Sequence, residues 1–182
     1  MYLLPAGIFT FLYKVLLLTR KEPFMKKATI LFCIRDGQVL LAKKTKKVGS
    51  GKWNGYGGKV EDGENIEDAT VREMKEESGG VLVAKEDLEK VAIVKFSFGG
   101  VPAFECFVYV THKWQGKPKE TTEMVLPTWH HISNMPFSEM MPADKDWITL
   151  VLVEGKKIEA NVNFNEDGTE VTKFDWKPAT FT

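Results

Sequence analysis

Gly58-Lys59-Val60-Glu61-Asp62-Gly63-Glu64-Asn65-Ile66-Glu67-Asp68-Ala69-Thr70-Val71-Arg72-Glu73-Met74-Lys75-Glu76-Glu77-Ser78-Gly79 decides how the rest of the chain reads. Its second half predicts a helix. Asn65 can cap the start, Asp68 follows three residues later in a capping-box arrangement, and Ser78-Gly79 supplies the stop. The apolar positions are few (Ile66, Ala69, Val71 and Met74), a narrower stripe than a helix shaped only for packing would show. Glu73, Glu76 and Glu77 stand at i, i+3 and i+4, within an arc of about 100° on one helix face. Three carboxylates so placed repel one another by about 0.2–0.5 kcal/mol per pair on an exposed helix. A hard divalent cation reverses that sign, and an all-oxygen donor set suits Mg²⁺, with Mn²⁺ as a substitute.

Just before this helix the charge has the opposite sign. Lys43–Lys59 carries six lysines and no acid, whereas Glu61–Glu77 carries eight acids against Arg72 and Lys75. Gly49, Gly51, Gly55, Gly57, Gly58 and Gly63 crowd into the same region, which lets backbone approach a ligand closely and aim amides at anions. A glycine loop leading into an acidic helix face is an arrangement that a metal-bridged polyphosphate requires.

Further out, the sequence sets limits. With 182 residues, 43% of them hydrophobic, one domain can bury its own core without disulfides or a structural metal. Lys and Arg number 25, as do Asp and Glu, so a nucleic-acid polymer is not an expected partner. Cys33 and Cys106, both in apolar runs, read as buried reduced thiols in a cytoplasmic protein. Ala28–Ile34 and Val39–Ala42 around Asp36-Gly37 predict a hairpin, and Lys90–Phe98, Ala103–Thr111 and Leu126–Ile132 predict further strands. A second helix is expected over Asp144–Leu152, and a terminal β-hairpin from Lys157–Phe164 and Thr169–Trp176. His112, His130 and His131 read as surface or rim residues. Residues 1–25 form an apolar N-terminal extension: a dispensable segment, a docked helix, or, through residues 1–24, a membrane anchor. The body then spans residues 26–182.

The spacing Gly58-x5-Glu64-x7-Arg72-Glu73-Met74-x-Glu76-Glu77-x-Gly79 resembles the Nudix box, with every fixed position filled and Gly80 where a bulky apolar residue is usual. Lys52–Val60, Glu123-Met124, Met135-Pro136-Phe137 and Trp147 are similar to the subgroup that hydrolyses oxidised purine nucleoside triphosphates. The resemblance implies an α/β fold, a Nudix α/β/α sandwich around a mixed sheet, and Mg²⁺-dependent hydrolysis of a small-molecule nucleotide. It implies that Glu73, Glu76, Glu77 and the Gly57 carbonyl bind metal. Glu123 would ligate metal or orient water, with the proton acceptor left open among the four carboxylates. Arg72 would pair with Glu64. Lys44 and Lys59 would sit near phosphates or sugar, Asn54 on the purine edge, Thr29 and Phe96 on the pocket wall, and Tyr56, Gly57 and Gly58 along the substrate. The subgroup reads the base with Trp-Pro-Asp-Asp. Here that stretch is Met141-Pro142-Ala143-Asp144, which leaves Met141 to pack on the base and Asp144 to read it. Hydrolysis of another nucleoside diphosphate derivative and a non-catalytic nucleotide sensor are the alternatives. The window Lys95–Phe98 lacks the Pro or Tyr usual in the family's ADP-ribose and dinucleoside-polyphosphate hydrolases.

Overall fold

The computed structural model describes residues 25–181. The expectations for residues 1–24 lie outside them. Among the described residues no helix is long and apolar enough to cross a membrane.

The predicted hairpin is present as β1 (Lys26–Arg35) and β2 (Gln38–Lys44), turning at Asp36 and Gly37, both at positive φ. A two-residue strand β3 (Trp53–Asn54) follows, too short to carry a sequence pattern. Then come α1 (Ile66–Glu77), β4 (Glu89–Phe98), β5 (Val101–Thr111) and β6 (Met124–His131). The chain closes with α2 (Asp144–Ile148), β7 (Ile158–Phe164) and β8 (Val171–Pro178). The second helix differs from its expected span. Regular α-helix ends at Ile148 and a π-helical turn covers Thr149–Val153, leaving Trp147, Ile148, Leu150 and Val151 all buried.

The strands form one mixed sheet in the order β3-β2-β1-β5-β4-β7-β8, with β6 also paired to β2. β1 runs parallel to β5 and β4 parallel to β7, while the remaining pairs are antiparallel. The expected terminal hairpin thus extends the main sheet through β7.

Both faces of the sheet are covered. Leu31, Cys33, Leu40 and Ala42 point toward Met74 of α1, and Phe32, Val39 and Leu41 point the opposite way into the core beside Trp147 and Ile148. Adjacent residues thus bury on opposite sides, which is why β1 and β2 read as continuous apolar runs rather than alternating ones. Trp147 packs on Phe32 with ring centroids 6.2 Å apart and anchors α2 to the sheet.

The N-terminus of α1 is capped as expected from one side only. Asn65 Oδ1 accepts the Glu67 and Asp68 amides at 2.9 and 3.4 Å. The reciprocal arm of the capping box is absent, because the Asp68 carboxylate pairs instead with Lys85 Nζ at 2.7 Å. At the other end, the Gly80 and Gly79 amides return to the Lys75 and Glu76 carbonyls at 3.1 and 3.4 Å, a Schellman closure. Gly80 sits at φ 127°, outside the range of ordinary side chains, and the next residue, Val81, fills the core behind the helix.

Candidate active site

β1 and β2 pair only at their hairpin end, Ile34 with Val39 and Arg35 with Gln38. Farther from the turn, β1 takes the loop before α1 as its neighbour. The Thr29 and Leu31 amides donate to the Gly58 and Tyr56 carbonyls at 2.8 and 2.7 Å, and the Val60 amide donates to the Lys27 carbonyl at 3.0 Å. This pairing seats the loop against the first turns of the sheet and fixes where α1 begins.

At two glycines in this loop a side chain would meet the site itself, against backbone at Gly57 and against the Glu73 carboxylate at Gly58. A Cβ on Gly57 would collide with the Thr29 carbonyl, and one on Gly58 would stand 2.6 Å from the Glu73 carboxyl carbon and both its oxygens. Glu73 therefore lies flat against bare backbone. Arg72 locks the loop to the helix. Its Nε and one terminal nitrogen hold the two Glu64 oxygens at 2.8 and 2.9 Å, and that same terminal nitrogen also donates to the Lys59 carbonyl at 3.1 Å. The other terminal nitrogen reaches Glu73 at 2.9 Å and Glu76 at 3.4 Å. The bidentate hydrogen bonds from Arg72 hold the Glu64 carboxyl down at about 2, so the clamp stays charged across the useful pH range.

The carboxylates differ in setting. Glu77 is 6% exposed; its Oε2 accepts the Gly57 amide at 2.8 Å, and Lys44 Nζ lies 3.8 Å from its Oε1. Burial pushes its pKa up, opposed by the Lys44 charge and the Gly57 amide. Glu76 is turned outward toward Arg72 with its side chain 61% exposed. Glu123, on the loop before β6, pairs with Lys47 Nζ at 3.1 Å, and Thr121 of that loop donates its hydroxyl to the Glu77 carbonyl at 3.2 Å. Among the described residues no three acidic, histidine or cysteine side chains converge on one point. Arg72 draws Glu73 and Glu76 one way, and Lys47 draws Glu123 another. The donor chemistry still suits a hard cation: several carboxylate oxygens border one cleft. Among the described residues no hydrogen bond uses the Gly57 carbonyl.

Glu73 and Glu77 form one wall of a pocket of about 290 Å³. Lys44, Gly57, Gly58 and Lys59 continue that wall, and Thr29, Asn54, Phe96, Met141 and Asp144 line the rest. Most of the expected site residues thus meet in one cavity. Glu76 and Glu123 stand outside its lining. Tyr56 does not line it at all: it is 1% exposed and packs with Leu31, Met74 and Tyr109 on the α1 side of the sheet. Tyr56 pairs with Leu31 across an isolated antiparallel bridge, and paired residues share a face, so Tyr56 follows Leu31 to the core under α1. Ala143 is fully buried in the core beside Trp147.

Three polar groups face the cavity's apolar interior. Thr29 Oγ1 is buried without a hydrogen-bond partner. Asn54 Oδ1 accepts the Gly55 amide at 2.9 Å, which leaves its NH₂ to donate elsewhere. Asp144 is 6% exposed; its two oxygens accept from the Met141 amide and the Trp147 indole N–H, each at 3.1 Å. Burial pushes its pKa up to about 7 despite those two donors.

Phe104 and Phe164, which carry no local signal for the site, form an aromatic wall with Phe96 and Phe98. Period-two alternation links Phe98 to Phe96, whereas Phe104 and Phe164 need the pairing of β5 and β7 with β4. His112 and His131 are exposed as expected, and the half-buried His130 packs edge-on against Trp53 at 4.7 Å. A second groove, of about 360 Å³, lies on the outer face of β4, β7 and β8, where ion pairs such as Lys177–Glu159 occupy its polar surface.

A glycine loop clamped to an acidic helix beside a nucleoside-sized pocket, on an α/β/α sandwich, defines a class of metal-assisted phosphoanhydride-cleaving domains. Residues 23–151 match the NUDIX domain family, and the chain belongs to it. It is 39% identical over 128 residues to an oxidized purine nucleoside triphosphate hydrolase of Danio rerio, covering 70% of this chain and 80% of that one. A protein of the same description from Mus musculus is 35% identical over 142 residues, covering 78% and 88%. Among solved structures, the MutT protein of Bacillus halodurans superposes with a TM-score of 0.70 at 23% identity, over 86% of this chain and all of that one, and shares the fold.

Proposed function

We propose that this protein hydrolyses oxidised purine nucleoside triphosphates, 8-oxo-dGTP foremost, to the nucleoside monophosphate and pyrophosphate, and so cleans the nucleotide pool of the cytoplasm. One observation carries the reading: a pocket of about 290 Å³ joins the Glu73/Glu77 carboxylates to an apolar chamber holding Asn54, Asp144 and an unpartnered Thr29 hydroxyl. The description of the zebrafish and mouse relatives supports the choice of substrate.

Glu73, Glu76 and Glu77, with the Gly57 carbonyl and Glu123, would hold Mg²⁺, or Mn²⁺ in its place. The ion supplies charge neutralisation on the phosphates and a bound water of lowered pKa. Lys44 and Lys59 bring further positive charge to the phosphates. Met141 would pack on the base with Phe96 on the pocket wall, and the Asn54 NH₂ would donate to its edge. Asp144, with its pKa near neutrality, can donate when protonated or accept from a purine N–H when ionised. Oxidised guanine carries an N–H where guanine has a bare nitrogen, which gives an ionised Asp144 a donor to meet.

Pyrophosphate release from a panel of canonical and oxidised nucleoside triphosphates, with Mg²⁺ and then with EDTA, tests this. The expected result is a higher kcat/KM for 8-oxo-dGTP than for dGTP and complete loss with chelator. Equal values for the two nucleotides would refute the sanitising role.

A further inference from the structure

The loop between β2 and β3 is tied down along its length. The Thr45 amide donates to the Glu123 carbonyl at 2.9 Å and its hydroxyl to the Thr122 carbonyl at 2.6 Å. Ser50 Oγ donates to the Thr45 carbonyl at 3.0 Å, and the Gly51 amide returns to the Lys44 carbonyl at 2.8 Å. Lys47 stands at the centre of this frame with φ at 60°, a left-handed conformation that a Cβ disfavours. The frame holds it there, and its side chain lines the pocket together with Lys44 and Lys59.

The ammonium of Lys47 reaches Glu123 Oε2 at 3.1 Å, yet the side chain is 68% exposed. Ion pairs this open contribute little stability, so they exchange partners readily. Glu73 and Glu77 also lie close enough to stabilise the Lys47 charge. A polyphosphate entering the pocket brings negative charge to the same place, and a lysine on a flexible stem has three donors to redirect toward it.

We propose that Lys47 is a polyphosphate-contacting residue, stationed at the pocket lip by its ion pair with Glu123 and transferred to a phosphate oxygen when nucleotide binds. The transfer frees the Glu123 carboxylate at the moment of substrate arrival. This inference rests on the reading of the site as one for a nucleoside triphosphate.

Titration calorimetry of the full chain with inorganic tripolyphosphate and Mg²⁺ tests it without a base or a turnover. Asn tolerates left-handed backbone, so Lys47→Asn removes the ammonium and keeps the loop. Affinity should fall roughly tenfold or more in Lys47→Asn, the loss of one charge-assisted hydrogen bond. Lys47→Arg should restore most of it. Lys46→Gln, a neighbouring exposed charge off the pocket wall, should match wild type. In turnover, Lys47→Asn should raise KM more than it lowers kcat. Unchanged tripolyphosphate affinity in Lys47→Asn, or an equal loss in Lys46→Gln, would overturn the assignment. A fall in kcat alone would do the same, since it would make Lys47 only a brace for Glu123. A wild-type chain that binds tripolyphosphate through Lys47 but releases no pyrophosphate from any nucleotide would sink the substrate reading and leave this one standing.

Discussion

At the scale of single residues, burial decides what each carboxylate can do. Glu77 is the most enclosed of the acidic helix face, and its Gly57 hydrogen bond survives in a neutral isostere. Glu77→Gln should therefore fold with unchanged thermal stability to within a few degrees and lose several orders of magnitude in turnover. Retention of a large share of wild-type activity would remove Glu77 from the metal site. Asp144 works by a different balance. Its folded pKa, about 7, lies above the value of an exposed aspartate, so the native state holds a proton that the unfolded chain releases. Its contribution is fully present below about pH 4, where both states are protonated, and declines as pH rises toward 7. Asp144→Asn should flatten the fall in Tm between those limits, although its NH₂ must oppose one of the two donors and so lowers Tm throughout. The slope is the test: identical slopes in the two proteins would mean that Asp144 titrates normally.

Among the elements, α1 was the most legible in sequence, because its caps and its charges both lie within a few residues. Asn65→Ala removes the acceptor of two amides and should cost about 1 kcal/mol, a Tm decrease of roughly 2–4 °C for a chain of this size. Activity should persist at low temperature, where the Arg72 clamp still holds the loop. The missing half of the capping box shows the limit of such reading. Asp68 has the right spacing, but Lys85, outside the helix, takes its carboxylate. Tyr56 fails for a related reason: nothing in its own neighbours tells which side of β1 the loop will face. Phe104 and Phe164 were illegible as pocket residues because their meeting depends on strand order, which local pattern does not encode. The strands themselves were legible wherever β-branched and aromatic runs met turn residues.

At the scale of the whole molecule, the described elements form a single sheet with a helix on each face, and every group assigned to the site lies after Met25. A chain begun at Met25 should therefore fold and keep its kcat/KM within about twofold, measured at equal folded concentration. A larger loss would show that residues 1–24 support the site. The sheet also carries a consequence for biosynthesis. The catalytic loop leans on β1, and β1 is completed on its other side by parallel pairing with β5, Lys26 against Phe104 through Cys33 against Thr111. Contacts so distant along the chain form slowly and cannot form before both partners exist. During translation, the complete acidic motif leaves the ribosome well before β5 does. A nascent chain arrested in that interval would hold Glu73, Glu76 and Glu77 but neither Glu123 nor Asp144, and would have no catalyst, with the two faces of β1 still open to chaperones.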